Sequence, residues 1–226
     1  MTMPTFTMSP APTGSIRPRA VRRAGRGALL LSLAPGAVFL AGCGNAPTTA
    51  SPVVPSSELA DAGKRPCPEE LPTGDDPSGH GFGTDEPADE RPDLPAPEEA
   101  WVCQYWPFDA GTTADGGAVF GWTRKGDPEP VPAGDLPALK TALDDLAPAD
   151  RNRACTADLG ARWMIVYSHG GDLTGVVVDD YGCRDVRLTG DPHATAPGSE
   201  DQRGTVGGVL DGGRAVLDAV GVGRSD

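Results

Sequence analysis

The stretch from Arg162 to Tyr181 constrains this chain more than any other. Trp163-Met164-Ile165-Val166-Tyr167 and Val176-Val177-Val178 are unbroken apolar runs rich in β-branched and aromatic residues, and Ser168-His169-Gly170-Gly171-Asp172-Leu173 between them carries the glycines of a hairpin loop. Such runs read as two paired, buried strands. If Tyr167 faces Thr174, then Ile165 lies opposite Val176, Trp163 opposite Val178 and Arg162 opposite Asp179. The last is a favourable cross-strand charge pair.

The amino-terminal end has a different texture. Arg17, Arg19, Arg22, Arg23 and Arg26 occur with no acid among the first 42 residues, and Gly27 to Leu40 is an apolar run broken only by Ser32 and Pro35. Leu40-Ala41-Gly42-Cys43 follows. A basic region, an apolar region and small residues at a cleavage site are the layout of an export signal. The four residues resemble the lipobox of bacterial lipoproteins at every position. The resemblance implies that the Cys43 thiol receives a diacylglycerol, that cleavage falls between Gly42 and Cys43, and that residues 1–42 are removed. Gly27 to Gly42 is only 16 residues, short of the roughly 20 needed to cross a bilayer as a helix. Two or three acyl chains, such as palmitate, anchor a domain where a single chain is marginal. The expected location is therefore the extracytoplasmic face of the cell membrane. Arg22-Arg23 leaves Sec and twin-arginine export both open.

The whole chain has 19 basic and 32 acidic residues, a net charge of −13. Removing the five signal arginines leaves 14 basic residues against 32 acids, a net of −18. That balance argues against nucleic-acid partners and against anionic headgroups. Alanine, glycine, proline, arginine and aspartate dominate while lysine is scarce, a bias of high-GC genomes. Together with the lipobox this resembles an actinobacterial (high-GC Gram-positive) envelope lipoprotein.

Residues 43–99 read as a disordered tether, rich in Pro, Ser, Thr, Ala and acids and almost without aromatic or branched apolar side chains, too poor in apolar surface to offset the entropy of ordering. Between Glu58 and Glu99 there are 13 acids against Lys64, Arg65 and Arg91. A coil of about 50 residues would hold a domain roughly 40 Å from the membrane. Asp75, Asp76, Asp85, Glu86, Asp89, Glu90 and Asp93 invite a calcium reading, but their spacing does not match an EF-hand loop. No metal or cofactor is expected.

With Cys43 lipidated, Cys67, Cys103, Cys155 and Cys183 remain, an even number in an exported chain, and imply two disulfides. Continuing the hairpin register backwards favours Cys155 with Cys183 and leaves Cys67 for Cys103. Zinc sites bring cysteines in close pairs, whereas the nearest here are 28 residues apart.

Residues 100–226 are expected to form a small α+β domain, with a mainly antiparallel sheet of four to five strands and one or two helices. Trp101–Trp106, stopped by Pro107, and Ala118–Thr123 form a long-looped hairpin. Asp135 caps a helix with Leu136, Leu139, Leu143 and Leu146 on one face, ended by Pro148. Asp185–Thr189 alternates as a half-exposed strand, Gly190–Gly204 is a polar loop, and Val209–Val220 is a second helix with Val209, Val216, Leu217 and Val220 inward.

Catalytic candidates are few. His80 falls in the tether, His193 in the polar loop, and His169 in the hairpin loop with Ser168 and Asp172. Neighbours on one tight loop cannot adopt triad geometry, and Asp179 and Asp180, adjacent on a strand, point to opposite faces. No G-x-S-x-G, H-E-x-x-H, phosphate loop or dinucleotide motif occurs. The pattern from Cys155-Thr156-Ala157-Asp158-Leu159-Gly160 to Val178-Asp179-Asp180-Tyr181-Gly182-Cys183-Arg184 resembles actinomycete lipoproteins of uncharacterised function, and implies no activity. The expected function is a membrane-anchored binding or interaction module with an envelope protein or cell-wall partner. An envelope hydrolase with dispersed carboxylates is the alternative. Replacing Cys43 with serine is expected to abolish fatty-acid labelling and leave an unprocessed precursor, read by metabolic labelling and electrophoretic mobility.

Overall fold

The strand-forming runs assemble into one sheet. The computed structural model describes residues 57–74, 82, 84–113, 116–156, 159–200 and 202–222; Gly42, Cys43, Asp75, Asp76 and His80 lie outside the described residues. In chain order the elements are α1 (Glu58–Asp61), β1 (Glu99–Thr112), β2 (Ala118–Pro130), α2 (Leu136–Asp144), β3 (Ala147–Pro148), β4 (Arg162–His169), β5 (Asp172–Asp179), β6 (Val186–Thr189), β7 (Leu210–Asp211) and α3 (Gly213–Ala219). The sheet order is β2-β1-β4-β5-β6-β7-β3, antiparallel throughout. This is an α+β fold with seven strands among the described residues, larger than the four or five expected. The additional strands β3 and β7 are two residues each, too short to leave a periodic signal.

The β4–β5 hairpin has the register read from its sequence: Tyr167 faces Thr174, Ile165 faces Val176, Trp163 faces Val178 and Arg162 faces Asp179. Alternation along these strands divides the core in two. On the first face Ile165, Tyr167, Val176, Val178, Val186 and Leu188 pack beneath Leu139, Leu143 and Leu146 at α2 and Val216 and Leu217 of α3. On the second face Cys103, Tyr105, Trp122, Met164, Val166 and Val177 pack beneath Cys67, Leu71 and Phe82.

That second layer corrects the tether reading for the described residues of 57–99. The segment's few apolar side chains are concentrated where they count. Cys67, Leu71 and Phe82 are 1–3 % exposed, Cys67 is bonded to Cys103, and residues 69–71 hydrogen-bond along the outer edge of β2, Leu71 N–H donating to Trp122 O and Arg124 N–H to Glu69 O. Farther on, Ala88 and Leu94 are buried and Pro87 bridges to Val209. A disulfide and edge pairing order a stretch that composition alone marks as unable to fold. With this cover over Arg187 and the following loop over Thr189, β6 is buried on both faces, where a half-exposed strand was expected.

Other expectations shift locally. Pro107 does not stop β1, which runs on to Thr112. Its pairing with β4 ends at Tyr105, so beyond that point one edge of β1 has no strand partner, and a missing N–H is tolerated there. Asp135 sits at the start of α2 without a side-chain capping bond. Pro148 lies in β3 rather than ending a helix. Val209–Val220 is divided by Gly212 (φ 118°) into β7 and α3; Val209, Val216 and Leu217 are still buried. Cys155 is bonded to Cys183, so the two disulfides follow the pairing that the hairpin register favours.

Arg162, 1 % exposed, is the largest polar side chain in the core. Its guanidinium carbon lies 3.7 Å from the ring centroid of Trp122 and 3.9 Å from that of Phe82, and Nε donates to Asp179 Oδ1 at 2.6 Å. Removing one partner of a buried ion pair leaves the other uncompensated, at a cost of about 3–5 kcal/mol. Arg162→Met is therefore expected to lower the unfolding free energy by about 3 kcal/mol, since Asp179 keeps Arg187, as measured by urea denaturation.

Candidate functional site

The loop residues that carried the sequence-level catalytic reading do not form a reacting group. Ser168 is almost buried while His169, next to it on β4, is exposed, as alternation requires. His169 Nδ1 lies 3.0 Å from the Ala96 carbonyl and 3.7 Å from Glu98 Oε1. Asp172 faces His169 in register, yet no side-chain hydrogen bond joins Ser168, His169 and Asp172. His169 and Asp172, without Ser168, border a cavity of about 640 Å³ with Glu58, Asp191 and Arg203. Glu58 is already engaged there, accepting from Leu173 N–H at 2.6 Å. Ser168 and His169 end β4 and Asp172 opens β5; changing the three together to alanine is expected to shift the melting temperature by only a few degrees, as scanning calorimetry would show.

Carboxylates and arginines instead form a ladder beneath the second face. From Arg162 it runs through Asp179 to Arg187, whose Nη1 donates to Asp179 Oδ2 at 3.2 Å and whose Nη2 donates to Asp85 Oδ1 at 3.1 Å. Asp185 lies 3.6 Å from Arg187 and also pairs with Arg153, which in turn holds Asp211. Asp180 turns the other way, to Arg184 and to the Trp163 indole N–H. The ladder is structural: Arg162, Asp179 and Arg187 are each under 10 % exposed. Burial raises the Tyr181 hydroxyl well above its ordinary value, as does the Asp179 charge. The Tyr167 hydroxyl, buried on the first face, is pushed up to about 12. Among the described residues no group of three or more His, Cys, Asp or Glu is placed to hold a metal.

The exposed aromatic residues mark a different surface. Of the ring-bearing residues in the first hairpin, Tyr105 and Trp122 are fully buried, and Tyr105 OH donates to the Pro68 carbonyl at 2.7 Å. Trp106 is 45 % exposed and Phe108 37 %. They stand two residues apart on β1, on one face with Gln104, where β1 and β2 continue past the end of β4 as a two-stranded ribbon. Phe108 faces Gly121, where a Cβ would come within 2.4 Å of its ring, so glycine is what lets the ring lie flat on the ribbon. Lys125 Nζ sits 4.7 Å from the Trp106 ring centroid. The β1–β2 register shifts between Val102 and Gln104, where Gly126 (φ 81°) to Pro128 of β2 stand against Cys103 alone on β1. Bulges re-aim side chains, and here Asp127 and Glu129 join Gln104, Lys125, Trp163 and Val220 around a cavity of about 410 Å³ beside Trp106. Sequence reading placed Trp106 in a strand, at the end of the aromatic run Trp101–Trp106. It missed Phe108 and the bulge, for which Gly126-Asp127-Pro128 is the only local sign.

No protein-family model, curated protein or solved structure matches the chain.

One ladder residue departs from ordinary ion-pair behaviour. The Asp185 carboxyl is raised above 3.8, chiefly because burial penalises its charge, with Arg187 and Arg153 acting in the opposite sense. Between its ordinary and its raised value such a group binds more protons folded than unfolded, so its contribution to stability rises as pH falls through that window. Relative to Asp185→Asn, the wild-type chain is expected to gain stability between about pH 7 and about pH 4, read from urea midpoints. A relative loss would mean that the two arginines outweigh desolvation.

Proposed function

We propose that the chain is a membrane-anchored extracytoplasmic lipoprotein whose domain is a binding module, with the ribbon face around Trp106 and Phe108 as its capture surface. The observation that carries this reading is the exposure of two large rings side by side on a backbone fixed by strand pairing. Rigid aromatic side chains lose little entropy when a partner covers them, and they dominate binding energy where they are buried. The lipobox resemblance at Leu40–Cys43 supports the anchored, extracytoplasmic location, and the net charge of −13 is unsuited to nucleic acid or to anionic lipid surfaces.

The test compares, in detergent micelles that keep the acyl chains off the membrane, retention of the full chain on detergent-washed cell envelopes with that of the double variant Trp106→Ala/Phe108→Ala. Both rings are exposed, so the variant is expected to keep its melting temperature while its affinity falls by about 2 kcal/mol or more, roughly 30-fold. Equal retention of both proteins would refute the assignment of this surface.

A further inference from the structure

We propose that the ribbon face and its adjoining cavity bind an uncharged pyranose glycan strand. The proposal rests on the binding-module reading and names the ligand class of that same surface. Three features of the face select this chemistry. First, the face sets two apolar rings side by side with hydrogen-bonding groups at their border, Gln104 on β1 and Thr123 and Lys125 on β2. Trp106 and Phe108 are two residues apart, about 6.7 Å along a strand, and Gln104 next to Trp106 leads to Trp163, its register partner on β4. A glycan strand matches that arrangement, presenting the C–H face of each sugar ring and hydroxyls at its edges. Second, the cavity of about 410 Å³, joined to Trp106 through Lys125, gathers Gln104, Asp127 and Glu129 in one place, so an amide and two carboxylates can hydrogen-bond sugar hydroxyls while the Trp163 indole in the lining offers an apolar wall. Few convergent polar groups on an aromatic lining are the usual make-up of a ligand site. Third, the charges there exclude the competing classes. Two carboxylates against Lys125, on a chain of net charge −13, repel uronic or phosphorylated polymers.

A peptide fits less well. Strand addition needs an open edge, but the outer edge of β2 is occupied at Trp122 and Arg124 by residues 69–71 and interrupted farther on by Pro128 and Pro130, and the edge of β1 left without a strand partner past Tyr105 carries Pro107, which offers no N–H to an added strand. An amphipathic helix needs a continuous apolar groove, and here Gln104, Thr123 and Lys125 break the apolar surface.

The full chain, purified in a detergent without a sugar headgroup, is titrated with an oligomer of N-acetylglucosamine and with a uronic-acid oligomer of equal length, followed by tryptophan fluorescence and calorimetry. Expected are saturable binding of the neutral oligomer, at least about tenfold weaker binding of the acidic one, and a loss of about tenfold or more in Trp106→Ala and in Phe108→Ala. Asp127→Asn/Glu129→Gln should narrow the preference against the acidic oligomer, with melting temperatures confirming that each variant folds. Failure of the neutral oligomer to saturate by about 10 mM, equal binding of the acidic oligomer, or titration of Trp106→Ala like wild type would each overturn the glycan assignment. If the wild type binds no glycan yet its envelope retention still needs Trp106 and Phe108, the occupant is a protein and the module reading stands. Retention indifferent to both rings would remove the module reading itself.

Discussion

A guanidinium clamped between two aromatic rings joins parts of the chain that are far apart in sequence. Arg162 comes from β4, Trp122 from β2 and Phe82 from the segment that covers the second face, while Asp179 on β5 receives the Nε–H. Burying a charge costs several kcal/mol unless it is paired and hydrogen-bonded. Any docking of the covering segment that left Arg162 without its rings, or Arg187 without Asp179 and Asp85, would expose that cost. The ladder therefore acts chiefly by excluding alternatives, since an apolar core of equal volume could supply as much stability. It fixes how the covering segment lies on the sheet.

The Cys67–Cys103 bond complements the ladder. It spans 36 residues, and closing such a loop restricts the unfolded chain by about 3–4 kcal/mol in the chain-entropy model. A segment this polar has little hydrophobic area to hold it down. It is secured at three kinds of point: the bond, the edge pairing at residues 69–71, and the ion pair of Asp85 with Arg187. Each is localised, so none alters the average composition of the segment.

That distinction explains what could be read from the residues alone. The β4–β5 register was legible because apolar pattern, turn glycines and the Arg162–Asp179 charges all point the same way, and the cysteine pairing followed from it. The covering layer was not legible. Composition is averaged over a window, and Leu71 and Phe82 are diluted by acids and prolines, although each fills a place in the core. The half-exposed reading of β6 failed for a similar reason: Arg187 and Thr189 look like solvent-facing positions, but the covering segment lies over Arg187 and brings Asp85 to it, while the loop after β6 closes over Thr189, whose hydroxyl donates to the Asp191 and Thr195 carbonyls. On the ribbon, the aromatic residues of β1 could be identified but not sorted. Tyr105 and Trp106 are neighbours with equal claims to the core, and which one is buried depends on the segment that supplies the Pro68 carbonyl.

The buried ladder and the exposed ribbon meet at one register position. Tyr105 faces Arg162 across β1 and β4, and the next residue, Trp106, is the first past the end of that pairing. Tyr105 is fixed from below by its hydroxyl bond to Pro68, in the stretch tied down by Cys67. Because successive strand residues point to opposite faces, anchoring Tyr105 inward holds Trp106 outward. Phe108 then follows on the same face, laid over Gly121. The orientation of the exposed rings is thus set by interactions on the opposite side of the sheet. The surface can stay rigid without a second layer of its own, which is what a preorganised capture surface requires.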